Sequence, residues 1–311
     1  MPYSLVALQA CHVQPGHQRA GHGHGHGLDA AMTKEHSSKH PYMHPDDFRV
    51  RPQHPQASYE DHADRGKDFS DEREAIEAQT VADQAEIVEL QERLFASKQR
   101  ALLLVFLAMD TGGKDSSIRR IFSGVNPQGC QVTSFGVPTA EERAHDFLWR
   151  VHPHTPALGM IGIFNRSHYE DVTVPVVTGA FTPAECAVRY GHIRDFEALL
   201  HEHDTQVVKF HLVISRKEQA ERLQERLDDP QKHWKFDPAD LENREHWGAY
   251  QQAFADALHA TSTDHAPWFV VPANRKWFRD AVIAHVVAHT LRHMDLAYPA
   301  PVADLHQYRI D

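Results

Sequence analysis

Five short apolar runs punctuate the chain after residue 100: Leu102–Ala108, Gln131–Phe135, Met160–Phe164, Val207–Ile214 and Trp268–Val271. Each has strand length. Between them, stretches near 114–123, 139–150, 183–202, 216–228, 238–260 and 275–294 carry helical spacing. Strands alternating with helices predict a parallel sheet covered on both faces. A longer amphipathic helix precedes them over 70–98. Ser70 would cap it, with Asp71, Glu72 and Glu74 in its first turn. Ile76, Val81, Ile87, Leu90 and Leu94 would form its apolar stripe.

Residues 1–60 lack this patterning and read as a disordered tail rich in His, Gly and Pro, leaving 61–311 as a single domain. The tail's His22-Gly23-His24-Gly25-His26 run has weak metal-binding chemistry, and a plain polar tail is the simpler reading. Met32 is a candidate start of translation.

Composition narrows the function classes. The 41% apolar fraction fits a globular protein. The net charge of −11, from 32 basic and 43 acidic residues, argues against a nucleic-acid-coating protein. Cys11, Cys130 and Cys186 make no disulfide framework, which favours a reducing cytoplasm. The run Ala101–Met109 is far short of the ~20 apolar residues of a membrane span. Ser4–Ala10 is too short for a signal-peptide core, and Leu8-Gln9-Ala10-Cys11 resembles a lipoprotein box without one.

In parallel sheets, ligands sit beyond the carboxyl ends of the strands. The first such end runs Ala108-Met109-Asp110-Thr111-Gly112-Gly113-Lys114-Asp115, followed by Ser116 and a predicted helix. This is the spacing of a phosphate-binding P-loop, with Gly112 and Gly113 freeing the backbone and Lys114 reaching outer phosphate oxygens. Two positions depart from the generic pattern: Ala108 replaces a Gly, and Asp115 a Ser or Thr. Asp110 would repel phosphate unless Mg²⁺ lay between them or it positioned the acceptor. The second strand end reads Asn165-Arg166-Ser167-His168-Tyr169-Glu170-Asp171. Asn165 stands where P-loop enzymes usually place a metal-holding Asp, and Arg166 suits the charge on a migrating phosphoryl group.

Together these segments resemble polyphosphate kinase family 2 over about residues 70–294. The resemblance also rests on Phe135-Gly-Val-Pro-Thr139, His145-Asp-Phe-Leu-Trp-Arg150, Asp229-Pro-Gln-Lys-His-Trp-Lys235 and Thr261-Ser-Thr-Asp-His-Ala-Pro-Trp268. It implies a thymidylate-kinase-like three-layer α/β/α P-loop kinase fold, with a parallel five-stranded sheet and a helical lid over about 209–240. It implies Mg²⁺-dependent phosphoryl transfer, with Mn²⁺ as a substitute, from inorganic polyphosphate to AMP or ADP. The Asn-Arg-Ser-His-Tyr-Glu-Asp version resembles the subgroup that phosphorylates both. Adenine or guanine nucleotides would be the acceptors. The protein would self-associate as a dimer or tetramer, with no nucleic-acid or membrane partner.

The resemblance makes Asp110, Lys114 and Arg166 catalytic, with Asp110 and Asn165 toward the metal. Gly112, Gly113, Asp115 and Ser116, with Arg222, Arg226, Lys232 and Lys235 of the lid, would bind phosphates. Arg119, Asn165, Tyr169, Glu170 and Asp171 would bind the nucleotide. Departures fall at Cys186 and Arg194, where relatives often carry Trp and Asn. Without the resemblance, Arg222 and Arg226 share one face of a predicted helix, and Glu218–Arg222 reads as an ordinary ion pair. Tyr169, Phe135 and Trp149 fit either a base contact or the core. A phosphate acceptor is already ionised, so His145 and His168 need not act as bases. An ATP-dependent nucleotide kinase on the same fold, and a non-catalytic polyphosphate- or metal-binding protein, are the alternatives.

Overall fold

In the computed structural model, residues 43–310 are described. The five apolar runs become parallel strands β1 (Ala101–Ala108), β2 (Cys130–Ser134), β3 (Ile161–Asn165), β4 (Thr205–Val213) and β5 (Trp268–Pro272). Their order in the sheet is β2-β3-β1-β4-β5. All eight residues of β1 are buried, as its central place requires. The helices are α1 (Arg73–Ser97), α2 (Lys114–Ile121), α3 (Ala140–Arg143), α4 (Glu170–Val177), α5 (Pro183–Glu202), α6 (Arg216–Asp228), α7 (Ala239–Glu245), α8 (Trp247–Thr261) and α9 (Lys276–Arg292). One group, α1, α2 and α9, packs together, and α4, α5 and α8 form another. The result is the three-layer α/β/α P-loop kinase architecture. No helix among the described residues is long and apolar enough to cross a membrane.

Where local signals are strong, the helix ends match the sequence pattern. Helix α5 begins at a Thr182–Glu185 capping box followed by Pro183. Ser215 caps α6, accepting from the Glu218 amide. Other ends differ. Ser70 does not cap α1, because its hydroxyl donates to the Lys67 carbonyl and the helix starts at Arg73. Val81 faces solvent, while Ile76, Ile87, Leu90 and Leu94 are buried. The helix expected over 139–150 stops at Arg143. The Asp146 carboxylate takes the Leu148 and Trp149 amides, a local turn that competes with helix. The helix expected over 238–260 is two helices, broken at His246. Helix α4 was not signalled, because Pro175 lies inside it.

Two boundaries move. Residues 43–60, grouped with the tail on pattern, pack onto the domain: Met43, Phe48, Val50 and Tyr59 are buried. Arg49 bridges Phe269 antiparallel, through Val50 N–H to the Trp268 carbonyl (2.8 Å) and Val270 N–H to the Phe48 carbonyl (2.7 Å). The His22–His26 run and Cys11 lie outside the described residues. The lid loses its first residues to the sheet. Lys209 sits in β4, fully buried, donating to Glu197 (2.5 Å), the Tyr169 hydroxyl (3.0 Å) and the Thr261 carbonyl (2.8 Å).

Candidate active site

Five residues join β1 to α2. Gly112 N–H donates to the Met109 carbonyl (3.0 Å) and closes the turn. A Cβ on Gly112 would stand 2.6 Å from the Ala108 Cβ. Gly113 has φ +101°, and a Cβ there would lie 2.1 Å from an Arg279 guanidinium nitrogen. Neither position admits a side chain without distortion. The loop therefore presents bare backbone at the start of α2, where amides and the helix dipole favour anions. The Lys114 ammonium lies over the loop, 3.2 Å from the Ala108 carbonyl. Burial pulls its proton affinity below the usual range, and the Glu170 and Asp110 carboxylates oppose that.

Strand β3 ends beside this loop. Arg166 holds φ +67°, a strained conformation for a side-chain-bearing residue. Its guanidinium lies 3.6 Å from Asp110 and 3.8 Å from Glu170. Burial raises the Glu170 carboxyl above its usual range, against the pull of Arg166 and Lys114. Asn165 donates from Nδ2 to Asp115, while its Oδ1 is buried with no partner. That orphaned oxygen and the Asp110 carboxylate are hard donors suited to a divalent cation. No cluster of three His, Cys, Asp or Glu side chains that could hold a metal occurs among the described residues. The pair fits an ion that takes one or two protein oxygens and fills its remaining positions with phosphate and water.

The lid contacts the loop directly. Arg222, expected to grip substrate phosphate, is 8% exposed and committed to protein. It donates to Glu218 (2.8 Å) and to the carbonyls of Thr111 (2.9 Å), Ala273 (2.6 Å) and Asn274 (3.2 Å). Its part is to staple the P-loop to the turn after β5, although it also lines the cavity. Arg226 donates to the Lys235 carbonyl and to Asp240, both at 2.8 Å. Lys232 pairs with Glu225 (2.5 Å) and Asp229 (3.1 Å), and Lys235 lies over the Trp234 ring. Burial and the nearby Asp110 charge push the Asp240 carboxyl up to about 6, with Arg226 pulling the other way.

Two cavities meet here. One, of about 860 Å³, is walled by the P-loop, Arg119, Arg166, Arg279 and the lid cations. The other, of about 710 Å³, has apolar walls that include Val137, Pro138, Phe147, Phe181 and Tyr250. Asp110 and Arg166 line both. Glu170 and Asp171 line the second cavity, where Asp171 takes a hydrogen bond from Arg150 (2.9 Å). Arg119, expected at the nucleotide, lines the first cavity. Tyr169 lines neither: it is fully buried, and its hydroxyl donates toward Glu197 and Thr261 in the Lys209 network. Trp149 stacks on His145, and Phe135 packs edge-on against Phe164. No histidine lines the P-loop cavity among the described residues. His211, beneath the loop, is pushed by burial down to about 3 and stays neutral.

Three contributors come from segments without an obvious motif. Asn243 donates to Asp110 (3.0 Å) and takes a hydrogen bond from the Tyr250 hydroxyl (3.1 Å). Arg279, 2% exposed, is held by Asp280 (2.8 Å), which also receives the Ser117 hydroxyl (3.0 Å). An adjacent Arg279-Asp280 pair leading into the apolar run Ala281–Ala284 was the available signal.

Comparison with known proteins agrees with this geometry. Residues 70–299 match the family model described as polyphosphate kinase 2. The chain is 49% identical over 227 residues to an AMP/ADP-polyphosphate phosphotransferase of Meiothermus ruber, covering 73% of this chain and 85% of that protein. It is 43% identical to an ADP-polyphosphate phosphotransferase of Rhodopseudomonas palustris, covering 68% and 77%. The crystal structure of polyphosphate kinase 2 from Arthrobacter aurescens TC1 superposes with a TM-score of 0.73 at 43% identity, covering 75% of this chain and 84% of that one. A P-loop closed by bare glycines, an arginine facing it from the next strand and a matching family model over most of the sequence converge: the chain belongs to the polyphosphate kinase 2 family.

Proposed function

We propose that this protein transfers the terminal phosphoryl group of inorganic polyphosphate to AMP or ADP, with Mg²⁺ as the metal and Mn²⁺ as its substitute. The observation that carries this reading is the meeting of a cationic cavity and an apolar one at Asp110 and Arg166. Polyphosphate takes the cationic side, its end against the P-loop amides and Lys114. The nucleotide takes the other, its base among the apolar walls and its phosphate toward Arg166. Those walls suit adenine and guanine alike.

An oxygen of the acceptor phosphate attacks the terminal phosphorus, and the bond to the bridging oxygen breaks. The shortened chain leaves with the negative charge. The acceptor oxygen is already ionised, so no base is needed. Lys114 and Arg166 stabilise charge on the migrating group, and the lid keeps out water that would hydrolyse it. Asp110 and the Asn165 side-chain oxygen would hold a divalent ion, which would supply charge neutralisation at the reacting phosphates. The Glu170 carboxylate beside Arg166 fixes that side chain's direction. Glu170 and Asp171 serve the nucleotide side by holding Arg166 and Arg150.

Incubating the protein with polyphosphate, AMP or ADP, and Mg²⁺ should yield ADP or ATP resonances in ³¹P NMR. Transfer from ATP but not from polyphosphate would overturn the assignment.

A further inference from the structure

Beside the P-loop cavity, α2 and the first turns of α9 enclose a third hollow of about 800 Å³. Four cations line it: Arg119, Arg120, Lys276 and Arg279. Its one carboxylate, Asp280, is buried and already engaged by Arg279 and Ser117. The Arg119 and Lys276 side chains have no hydrogen bond or ion pair among the described residues, with Glu225 acting on Lys276 only through space, and the Arg120 side chain is 57% exposed with Asp280 only at 3.6 Å. Unneutralised positive charge in a concave site focuses the field on an anion.

The hollow is continuous with the phosphate cavity. Ser116, Arg119, Lys276 and Arg279 line both. Along α2, Ser116, Arg119 and Arg120 lie at helical spacing, and Ser123 follows just past its C-cap, so this side of the helix runs from the P-loop into the hollow. A polyanion of many phosphates has to leave the phosphate cavity somewhere, and this is a cation-lined way out.

We propose that this hollow is a second binding tract for polyphosphate, gripping the stretch of chain that emerges from the P-loop cavity. The tract rests on the polyphosphate-transfer reading above and deepens it. Long chains reach it, and short oligophosphates do not. Chain-length preference is then set on α2 and α9, away from the reacting phosphorus.

The test uses Arg120→Glu and, separately, Ser123→Asp, two positions that line only the outer hollow. Ser123 makes no side-chain hydrogen bond, so its change leaves the fold intact even if Arg120→Glu disturbs Asp280. The measurement is KM and kcat with long-chain polyphosphate and with tetraphosphate as donor, at low and high salt. Arg120→Glu should raise the long-chain KM by about five- to tenfold, and Ser123→Asp by about two- to threefold, with the gap shrinking in salt. Tetraphosphate kinetics should not change. Equal effects on both donors, or none on the long chain, would overturn the tract while leaving the transfer reading intact. A wild-type protein inert toward both donors would overturn the two together.

Discussion

Arg222 and Arg279 face the same phosphate cavity as Lys232 and Lys235, yet the two sets are held in opposite ways. The arginines are nearly buried, 8% and 2% exposed, and fastened to backbone carbonyls or to Asp280. The lysines sit on the rim. Lys232 is tied only to the solvated Glu225 and Asp229, and Lys235 rests on an exposed Trp234. The first set cannot leave its partners without stranding buried groups. The second can exchange a carboxylate for a phosphate at little net cost, because exposed ion pairs contribute about 0–1 kcal/mol. On the proposed reading, fixed cations shape the loop, and exchangeable ones receive the chain. Lys114 and Arg166 lie between, held near carboxylates yet lining the cavity.

This contrast can be broken first at its centre. Lys114→Ala or Arg166→Ala should lower kcat by at least ~10²-fold with an unchanged circular dichroism spectrum, as for other oriented charge donors. Near-normal turnover in both would remove them from the chemistry. Next, Arg222→Ala should cost roughly 1–3 kcal/mol in denaturant unfolding, because the carbonyls of Thr111 and Ala273 lose their donor. Arg222→Lys should recover only part of it, since one ammonium cannot span the same set. A stable Arg222→Ala protein with only a raised polyphosphate KM would place Arg222 with the exchangeable set.

Asp240 offers a pH test. Its folded-state value of about 6 lies above the usual carboxylate range, so the folded protein retains a proton that the unfolded chain releases. That stabilisation is full below the ordinary carboxylate value and is lost as pH rises through about 6. Asp240→Asn stays neutral throughout. Its melting temperature relative to wild type should therefore climb with pH across that window and level off above it. A flat difference would show that burial and the Asp110 charge together do not raise the Asp240 carboxyl. The smallest effect belongs to the rim: Lys232→Ala should change unfolding free energy by no more than about 0.5 kcal/mol while raising the polyphosphate KM.

Much of this arrangement was readable in the chain. The strands and the P-loop announce themselves through short apolar runs and a Gly-Gly-Lys turn, because their determinants are local. Helix α6 was readable as the stretch 216–228, which is where the structure has it. What stayed hidden depends on contacts distant in sequence. Arg222 looks like a free guanidinium until the turn after β5 is folded against it. Asn243 becomes a partner of Asp110 only once α7 crosses the loop, 133 positions downstream. Tyr169 lies inside the most informative motif, yet its ring points into the core, where its hydroxyl accepts from buried Lys209 and donates to Glu197.

The antiparallel bridge of Arg49 to Phe269 has a practical consequence for anyone shortening this protein. The family match begins at residue 70, and trimming to that point would look harmless. It would instead strip the outer flank of β5, leaving unpaired amides and carbonyls that another copy could recruit as a template for strand addition. A cut before residue 43 spares that flank. The short segment around Phe48 to Val50 thus covers the open flank of β5, a task separate from the loops at the carboxyl ends of the strands.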